Sequence, residues 1–527
     1  MPKERGRDFG LRPRSRFENL RYVAAVCRGT PRSSSHSMTF SLQEILWAGI
    51  VLAGLLLVGE WLVRACAPLR RIYLPASIVA GALALLLGPQ VLGRFQDGPE
   101  GEGGAGLFTE AIVGVWSGAP GILISIVFAT LLMGKPVPTL RRIWSQAGPQ
   151  VCFGQTLAWG QYVVGILLTM LVLTPVFGLP VIAGTLIEIG FEGGHGTAAG
   201  MGQAFAEAGW PEGQDLALGL ATIGLVSGVI LGTVLINWAA RRGTIHPEAS
   251  FSALEGAAAS AAPAELTEAQ RLEYWREREA ESKPTDPLSL HLGLIGLAIA
   301  IGWVILEGLR TLETRTWASE EGAATFFTHV PLFPLAMIGG VIIQITFDKL
   351  GKSHVISSRT LDRIGGGALD FTIVAALGAL SLRAIGDNLV PFLLLAVAGI
   401  VWALFAIIVI APKIIPDNWF ERGIGDFGQS MGVTVTGLLL MRVADPKNES
   451  GALQSFGYKQ LMFEPIVGGG LFTGASVALL LNLGPLPVLA ITAAAGLFWL
   501  ILGMLVFGKR ARANRATERA QRAQRAG

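Results

Sequence analysis

The chain has 527 residues, 51% of them hydrophobic and 15% charged, with a mean hydropathy of +0.54 and a formal net charge of +3. So apolar a composition excludes an ordinary soluble domain, and runs long enough to cross a bilayer recur along most of the length. The small net charge reports membrane topology rather than a partner and gives no ground for nucleic acid, so the chain reads as an all-α polytopic protein of the lipid bilayer.

Residues 1–37 hold nine Lys or Arg and no apolar run, hence no signal-peptide core. They read as a basic disordered arm, or as sequence upstream of a start at Met38. Apolar segments follow at 42–63, 72–93, 112–134, 149–174, 181–206 and 215–240. The stretch 241–287 is too polar to span, with runs such as Glu273-Tyr-Trp-Arg-Glu-Arg-Glu279, and reads as a cytoplasmic linker. Apolar segments resume at 288–309, 330–348, 366–384, 389–412, 418–441 and 460–482, with an additional one at 487–507. Residues 508–527 form a basic cytoplasmic tail.

Two of these segments are poor membrane helices. Glu188-Ile-Gly-Phe-Glu-Gly-Gly-His-Gly-Thr-Ala-Ala-Gly-Met-Gly202 and Gly423-Ile-Gly-Asp-Phe-Gly-Gln-Ser-Met-Gly-Val-Thr-Val-Thr-Gly437 both mix glycine with ionisable and hydroxyl residues. Irregular backbone at membrane depth is tolerated where protein or a water-filled cavity encloses it. The two segments occupy matching places in two halves, 42–240 and 288–482, and Leu74–Leu83 matches Phe333–Ile342 in the same way. Paired interrupted segments point to a transporter site at a repeat interface. If each enters and leaves on one side as a re-entrant hairpin, each half has five spans, an odd number, so the halves are inverted. With segment 487–507 the expectation is eleven spans.

Loop charge orients this scheme. Arg64, Arg70 and Arg71, the linker 241–287, Arg442, Lys447, Lys459 and the tail fall inside, and the acidic loops 94–111 and 310–329 fall outside. The first hairpin then enters from outside and the second from inside.

Candidate substrate-binding residues are Gly193, Gly194, His195, Gly196 and Thr197 in the first hairpin, and Gln429, Ser430, Thr434, Thr436 and Arg442 in the second. Glycines let the backbone approach a ligand, and free N–H and C=O groups at half-helix ends suit a carboxylate and Na⁺ respectively. A guanidinium suits a carboxylate. Candidate ion-binding residues are Glu188, Glu192, Asp370 and Asp426. No GxxxxGK[ST] or HExxH motif occurs, and Cys27, Cys66 and Cys152 have no metal spacing. No catalytic residue, resident metal or cofactor is expected; transport would run on an ion gradient.

Glu192-Gly-Gly-His-Gly-Thr-Ala-Ala-Gly200 resembles the Ser-Gly-Gly-His-Gly-Thr-Gly-Ala-Ala signature of bacterial sodium/glutamate symporters. Ala221-Thr-Ile-Gly-Leu-Val-Ser-Gly228 is similar to their Ala-Thr-Phe-Gly-Leu-Val-x-Gly, and Leu74-Pro-Ala-Ser-Ile-Val-Ala-Gly81 to their Ile-Pro-x-Pro-Val-Ala-Gly-Gly. The order of elements agrees from about residue 42 to 482. The resemblance implies inverted five-helix repeats with re-entrant hairpins, a homodimer and an elevator-like transport domain. It further implies Na⁺-coupled uptake of glutamate, or a related anionic amino acid or dicarboxylate, across a bacterial cytoplasmic (inner) membrane. The chain departs from the family where the latter has Gly-His-Cys-Gly-Phe-Gly-Leu-Gly-Ala-Thr-Pro-Thr-Ala: here Gly425-Asp-Phe-Gly-Gln-Ser-Met-Gly-Val-Thr-Val-Thr-Gly437 keeps the Gly/Thr framework without the His-Cys pair or the Pro. Glu192 stands where the family has Ser. Substrate choice is therefore expected to turn on residues 426–442. The competing readings are an H⁺-coupled carboxylate carrier or exchanger, and a channel or non-transporting membrane sensor.

Overall fold

The computed structural model describes residues 40–66, 69, 75–96, 104, 106–134, 140–245, 287–317, 326–446 and 449–526. The arm 1–37, most of the linker 241–287, parts of the charged loops, Leu74 and Lys447 lie outside the described residues. Every regular element among the described residues is helical. In chain order the principal helices are α1 (Leu42–Ala65), α2 (Ala76–Leu87), α3 (Glu110–Leu131), α4 (Leu140–Leu168), α5 (Gly194–Gly200), α6 (Gly202–Glu207), α7 (Glu212–Arg241) and α8 (Pro287–Arg315). They continue with α9 (Phe333–Lys349), α10 (Ser358–Gly378), α11 (Leu389–Phe405), α12 (Trp419–Ala444), α13 (Ala452–Phe463), α14 (Leu471–Leu483), α15 (Pro485–Val506) and α16 (Gly508–Ala526).

Eight helices among the described residues are long and apolar enough to cross a membrane. They present exposed rows of large apolar side chains, such as Trp47, Ile50 and Trp61 on α1, Trp303 and Val304 on α8, and Phe498 and Leu505 on α15. Such rows suit lipid and would be costly in water. The expected segments that fall short do so for visible reasons. Helix α9 has 17 residues, which reach roughly 26 Å at 1.5 Å per residue. Helix α10 carries Arg359, Asp362 and Arg363 in its first turns. The segment 460–482 is two helices, α13 and α14, separated by Glu464-Pro-Ile-Val-Gly-Gly-Gly470.

Two long helices share an unusual ending. Helix α4 continues through a π turn, Thr169–Leu173, into a last turn Thr174–Phe177. Helix α11 continues through a π turn, Ala406–Ile410, into Ala411–Ile414. Pro175 and Pro412 stand just beyond the widened turns. A proline lacks the N–H for the carbonyl four residues back and its ring presses on that carbonyl; a π turn accommodates both. A glycine-broken segment follows each ending directly.

The apolar interior falls into one large core and smaller ones. The large core joins α4, the two broken segments, α7 and α11 to α15, through buried side chains such as Phe153, Tyr162, Phe191, Phe205, Phe427 and Phe463, and it also takes in Ile124 and Phe128 of α3, Phe333 of α9 and Ala376 of α10. Smaller cores bind α1, α2, α3 and α10 around Ala48, Ala80, Trp116 and Val374, and α3, α8, α9 and α10 around Ala129, Ala298, Ala336 and Leu361. Helix α15 lies along α4, where a methyl added at Gly503 would sit 3.1 Å from Cys152 Cβ.

Candidate functional site

The first broken segment descends through a 3₁₀ turn, Val181–Thr185, and a π turn, Glu188–Glu192, before α5. Its contacts with α7 give its course. A methyl on Gly190 would lie 2.8 Å from Ala217 O and from Leu220 Cβ, and one on Gly224 would lie 2.9 Å from Phe191. To this point the segment runs in the direction of α7. Beyond it the order reverses: His195 meets Thr222 at 3.0 Å, and Gln214 Nε2 donates to Ala199 O at 3.0 Å. The reversal occurs at Gly193–Gly194, where Gly194 has φ +66°, a left-handed conformation that glycine adopts without steric cost.

The second segment also doubles back, although α12 is helical from Trp419 to Ala444. In a straight helix Gly428 and Gly437 would stand about 13 Å apart along the axis. Instead a methyl on Gly428 would lie 2.8 Å from Gly437 Cα, and one on Gly425 would lie 2.8 Å from Met441 Cγ. The limbs therefore pack glycine to glycine, and the turn falls near Gly432. Both ends lie on one side, since Asn418 Nδ2 donates to Ser450 O at 3.3 Å.

The two turns meet at α7. A methyl on Gly228 would lie 2.8 Å from Met431 Cβ, and one on Gly432 would lie 2.6 Å from Leu225 Cα. Gly224 and Gly228 thus make room for Phe191 of one turn and Met431 of the other. Ser430 Oγ of the second segment donates to Glu192 Oε2 of the first, and Gln161 Nε2 of α4 donates to Ser430 O at 2.8 Å. The third wall is the break between α13 and α14. Gly469, at φ +100°, lies so close to Thr197 that an added methyl would sit 2.6 Å from its Oγ1.

Three carboxylates are buried here, each differently partnered. Glu188 Oε1 accepts from Gly468 N and from Thr473 Oγ1, both at 2.8 Å, and Oε2 accepts from Tyr162 Oη at 2.5 Å. Its lone pairs are thereby directed at protein donors, and it ties the first segment to α4 and to the α13–α14 break. Glu192 has one oxygen on Ser430, and among the described residues Oε1 has no partner. Asp426 Oδ1 pairs with Lys459 Nζ at 3.0 Å, and the Gln150 side chain also faces this carboxylate. Gln161 Oε1 is a further buried acceptor left over. Buried polar atoms normally find partners, so a surplus of acceptors in one place fits a cation.

The structure brings together Glu188, Glu192, Thr197, Asp426, Gln429 and Ser430 around the turns, Lys459 and the α13–α14 break, with Gly193 and Gly194 at the turn itself, whereas Gly196 packs against Ile124 of α3 and Leu369 of α10. Thr434 Oγ1 bonds Glu464 Oε1 at 3.3 Å and accepts from Gln460 Nε2 at 3.0 Å; Thr436 Oγ1 donates to Gly432 O at 2.7 Å inside its own turn. Asp370 and Arg442 are not part of this cluster: both are exposed, Asp370 on α10 and Arg442 in the last turn of α12. His195 faces α7 rather than the second segment. The single Thr222 hydroxyl proton goes to Leu218 O at 3.0 Å, so the Thr222 lone pair accepts and His195 Nε2 is the protonated nitrogen. Replacing Thr222 by valine orphans that N–H and is expected to lower stability by about 1–3 kcal/mol. Thermal unfolding of the purified protein checks this, with Thr222→Ser expected to melt near wild type.

Sequence reasoning missed Tyr162, Gln161, Thr473 and the Gly468–Gly470 break, and it counted Lys459 among cytoplasmic loop charges. Lys459 is instead buried on α13. A signal existed: Gln150, Gln155, Gln161 and Tyr162 interrupt an otherwise apolar α4, and their buried polar ends must find partners. Gln150 Nε2 donates to Arg422 O at 3.1 Å and Gln155 Nε2 to Met462 O at 3.3 Å.

No curated protein matches the chain. A family model described as sodium/glutamate symporter does, over residues 126–443, a stretch that contains both broken segments and all of α7. It covers well over half of the sequence, and the chain belongs to the sodium/glutamate symporter family, whose members are membrane transporters rather than enzymes.

Proposed function

We propose that this protein is a Na⁺-coupled secondary transporter that takes up glutamate, or a closely related anionic amino acid or dicarboxylate. The observation that carries the proposal is the junction of the two turns at Glu192 and Ser430, beside buried oxygens that lack partners. A coupling cation would take Glu192 Oε1 and Gln161 Oε1. The substrate would lie against the Gly193-Gly-His-Gly-Thr197 turn and Gln429, Ser430, Thr434 and Thr436. Asp370 and Arg442 stand apart and are left out of this assignment.

The two broken segments are read as re-entrant hairpins of inverted five-helix repeats. Their shared antecedent, a long helix ending in a π turn and a proline, supports this. So does the placement of Glu188 and Asp426, thirteen and fourteen residues beyond Pro175 and Pro412. Eleven spans follow if α9, α10 and the α13–α14 pair also cross. An elevator-type movement of the hairpin-bearing part against the rest belongs to the same reading; the surface that moves would be the one where α3, α9 and α10 enter the large core through Ile124, Phe128, Phe333, Met337 and Ala376. A homodimer in a bacterial inner membrane completes the reading.

The test is accumulation of radiolabelled glutamate in proteoliposomes under an inward Na⁺ gradient, with Na⁺ replaced by choline at fixed pH as the comparison. Concentrative uptake that requires Na⁺ is expected. Uptake that persists in choline would turn the reading to H⁺ coupling, and flux that never exceeds the electrochemical gradient would turn it to a channel.

A further inference from the structure

We propose that the Lys459 ammonium is a resident cation of the transport site: it holds a cation position beside Asp426, so that this carboxylate takes no transported ion. The proposal rests on the reading of the hairpin cluster as the ion and substrate site. Lys459 is fully buried on α13, one turn before the break. Its Nζ donates to Gln429 Oε1 at 2.8 Å and pairs with Asp426 Oδ1 at 3.0 Å, both on the second hairpin. The Phe463 ring centroid lies 3.7 Å away and that of Phe456 5.1 Å away. A carboxylate oxygen, an amide oxygen and the faces of aromatic rings are the groups that hold a monovalent cation out of water.

The rest of the packing makes room for the ammonium. A methyl added at Gly154 of α4 would lie 2.6 Å from Lys459 Cε and 3.1 Å from Nζ, so with any larger residue there the lysine end would have to shift from this position. The contrast with the first hairpin is instructive. Glu188 stands at the place that corresponds to Asp426, and the protein donors on it are all uncharged: a tyrosine, a threonine and a backbone N–H. Asp426 is held by a formal positive charge that travels with the protein. Deleting that charge leaves a buried carboxylate uncompensated, and Na⁺ is the cation at hand to replace it.

The test follows Na⁺-dependent thermal stabilisation of the full-length protein purified in detergent, with choline chloride holding ionic strength constant. Wild type is compared with Lys459→Gln, Asp426→Asn and the double variant. Lys459→Gln is expected to acquire an extra Na⁺ requirement, its Hill slope rising by about one, and the double variant to return to the wild-type slope. Asp426→Asn alone is expected to keep that slope, which also decides the matter if Lys459→Gln does not fold. A folded Lys459→Gln with the wild-type Na⁺ curve, or an Asp426→Asn that loses one Na⁺, overturns the proposal. Because the readout needs no substrate, the expected pattern in a protein that moves no glutamate would refute the transport reading and leave the resident cation standing.

Discussion

Glu188→Leu is expected to unlatch the first hairpin and to abolish uptake. Leucine matches the size of the side chain but accepts no hydrogen bond, so Tyr162 Oη, Thr473 Oγ1 and Gly468 N all lose their acceptor in one step. At about 1–3 kcal/mol for each buried donor left unmade, the loss is roughly 3 kcal/mol or more, a large fraction of the stability of an ordinary fold. Glu188→Gln separates shape from charge. Its carbonyl oxygen can still serve Gly468 and Thr473, and its amide can donate to a Tyr162 hydroxyl turned about its C–O bond. That variant is expected to lose only about 1 kcal/mol. Thermal unfolding in detergent and Na⁺-driven glutamate uptake give the two readouts. A Glu188→Leu protein that melts with wild type would show that these three hydrogen bonds do not tie the hairpin to the break.

The same carboxylate marks where sequence reasoning stops. Its presence in a glycine-broken segment, among residues a lipid-facing helix would avoid, is legible from composition alone. So are the two turns, because glycine, hydroxyl and acidic residues interrupt apolar runs at matching places. The partners are not legible. Tyr162 lies 26 residues away and Thr473 lies 285 away, and no local pattern links them. Lys459 was misread for a physical reason: a charge count assigns any lysine between apolar runs to a loop, but α13 and α14 are half-helices, and their junction lies beside Glu188 and Thr197. The family match ends at residue 443, so Lys459, the break and Thr473 lie outside the matched residues. Arg442 illustrates the converse. It is close in sequence to Thr434 and Thr436, yet the reversal of α12 carries it to the exposed base of the hairpin.

That reversal depends on three glycines, and the second large expected effect concerns one of them. Gly428→Val is expected to lower the apparent glutamate affinity of Na⁺-driven uptake. The added Cβ would lie 2.8 Å from Gly437 Cα and 2.9 Å from Leu440 Cδ1, closer than unbonded carbons approach, and valine brings two further methyls. One neighbour is backbone and cannot rotate away, so the limbs must part. Gln429 and Ser430 follow directly in the chain, and they hold Lys459 Nζ and Glu192 Oε2. Overpacking of this kind costs about 1–3 kcal/mol; falling on the binding geometry, that corresponds to roughly 5- to 150-fold. Gly457→Val is the matched control, because a methyl there meets nothing within 4 Å; it should leave affinity close to wild type. Concentration dependence of uptake in proteoliposomes measures both. A Gly428→Val protein with wild-type affinity would show that the limbs of the second hairpin do not have to pack this closely for the site to form.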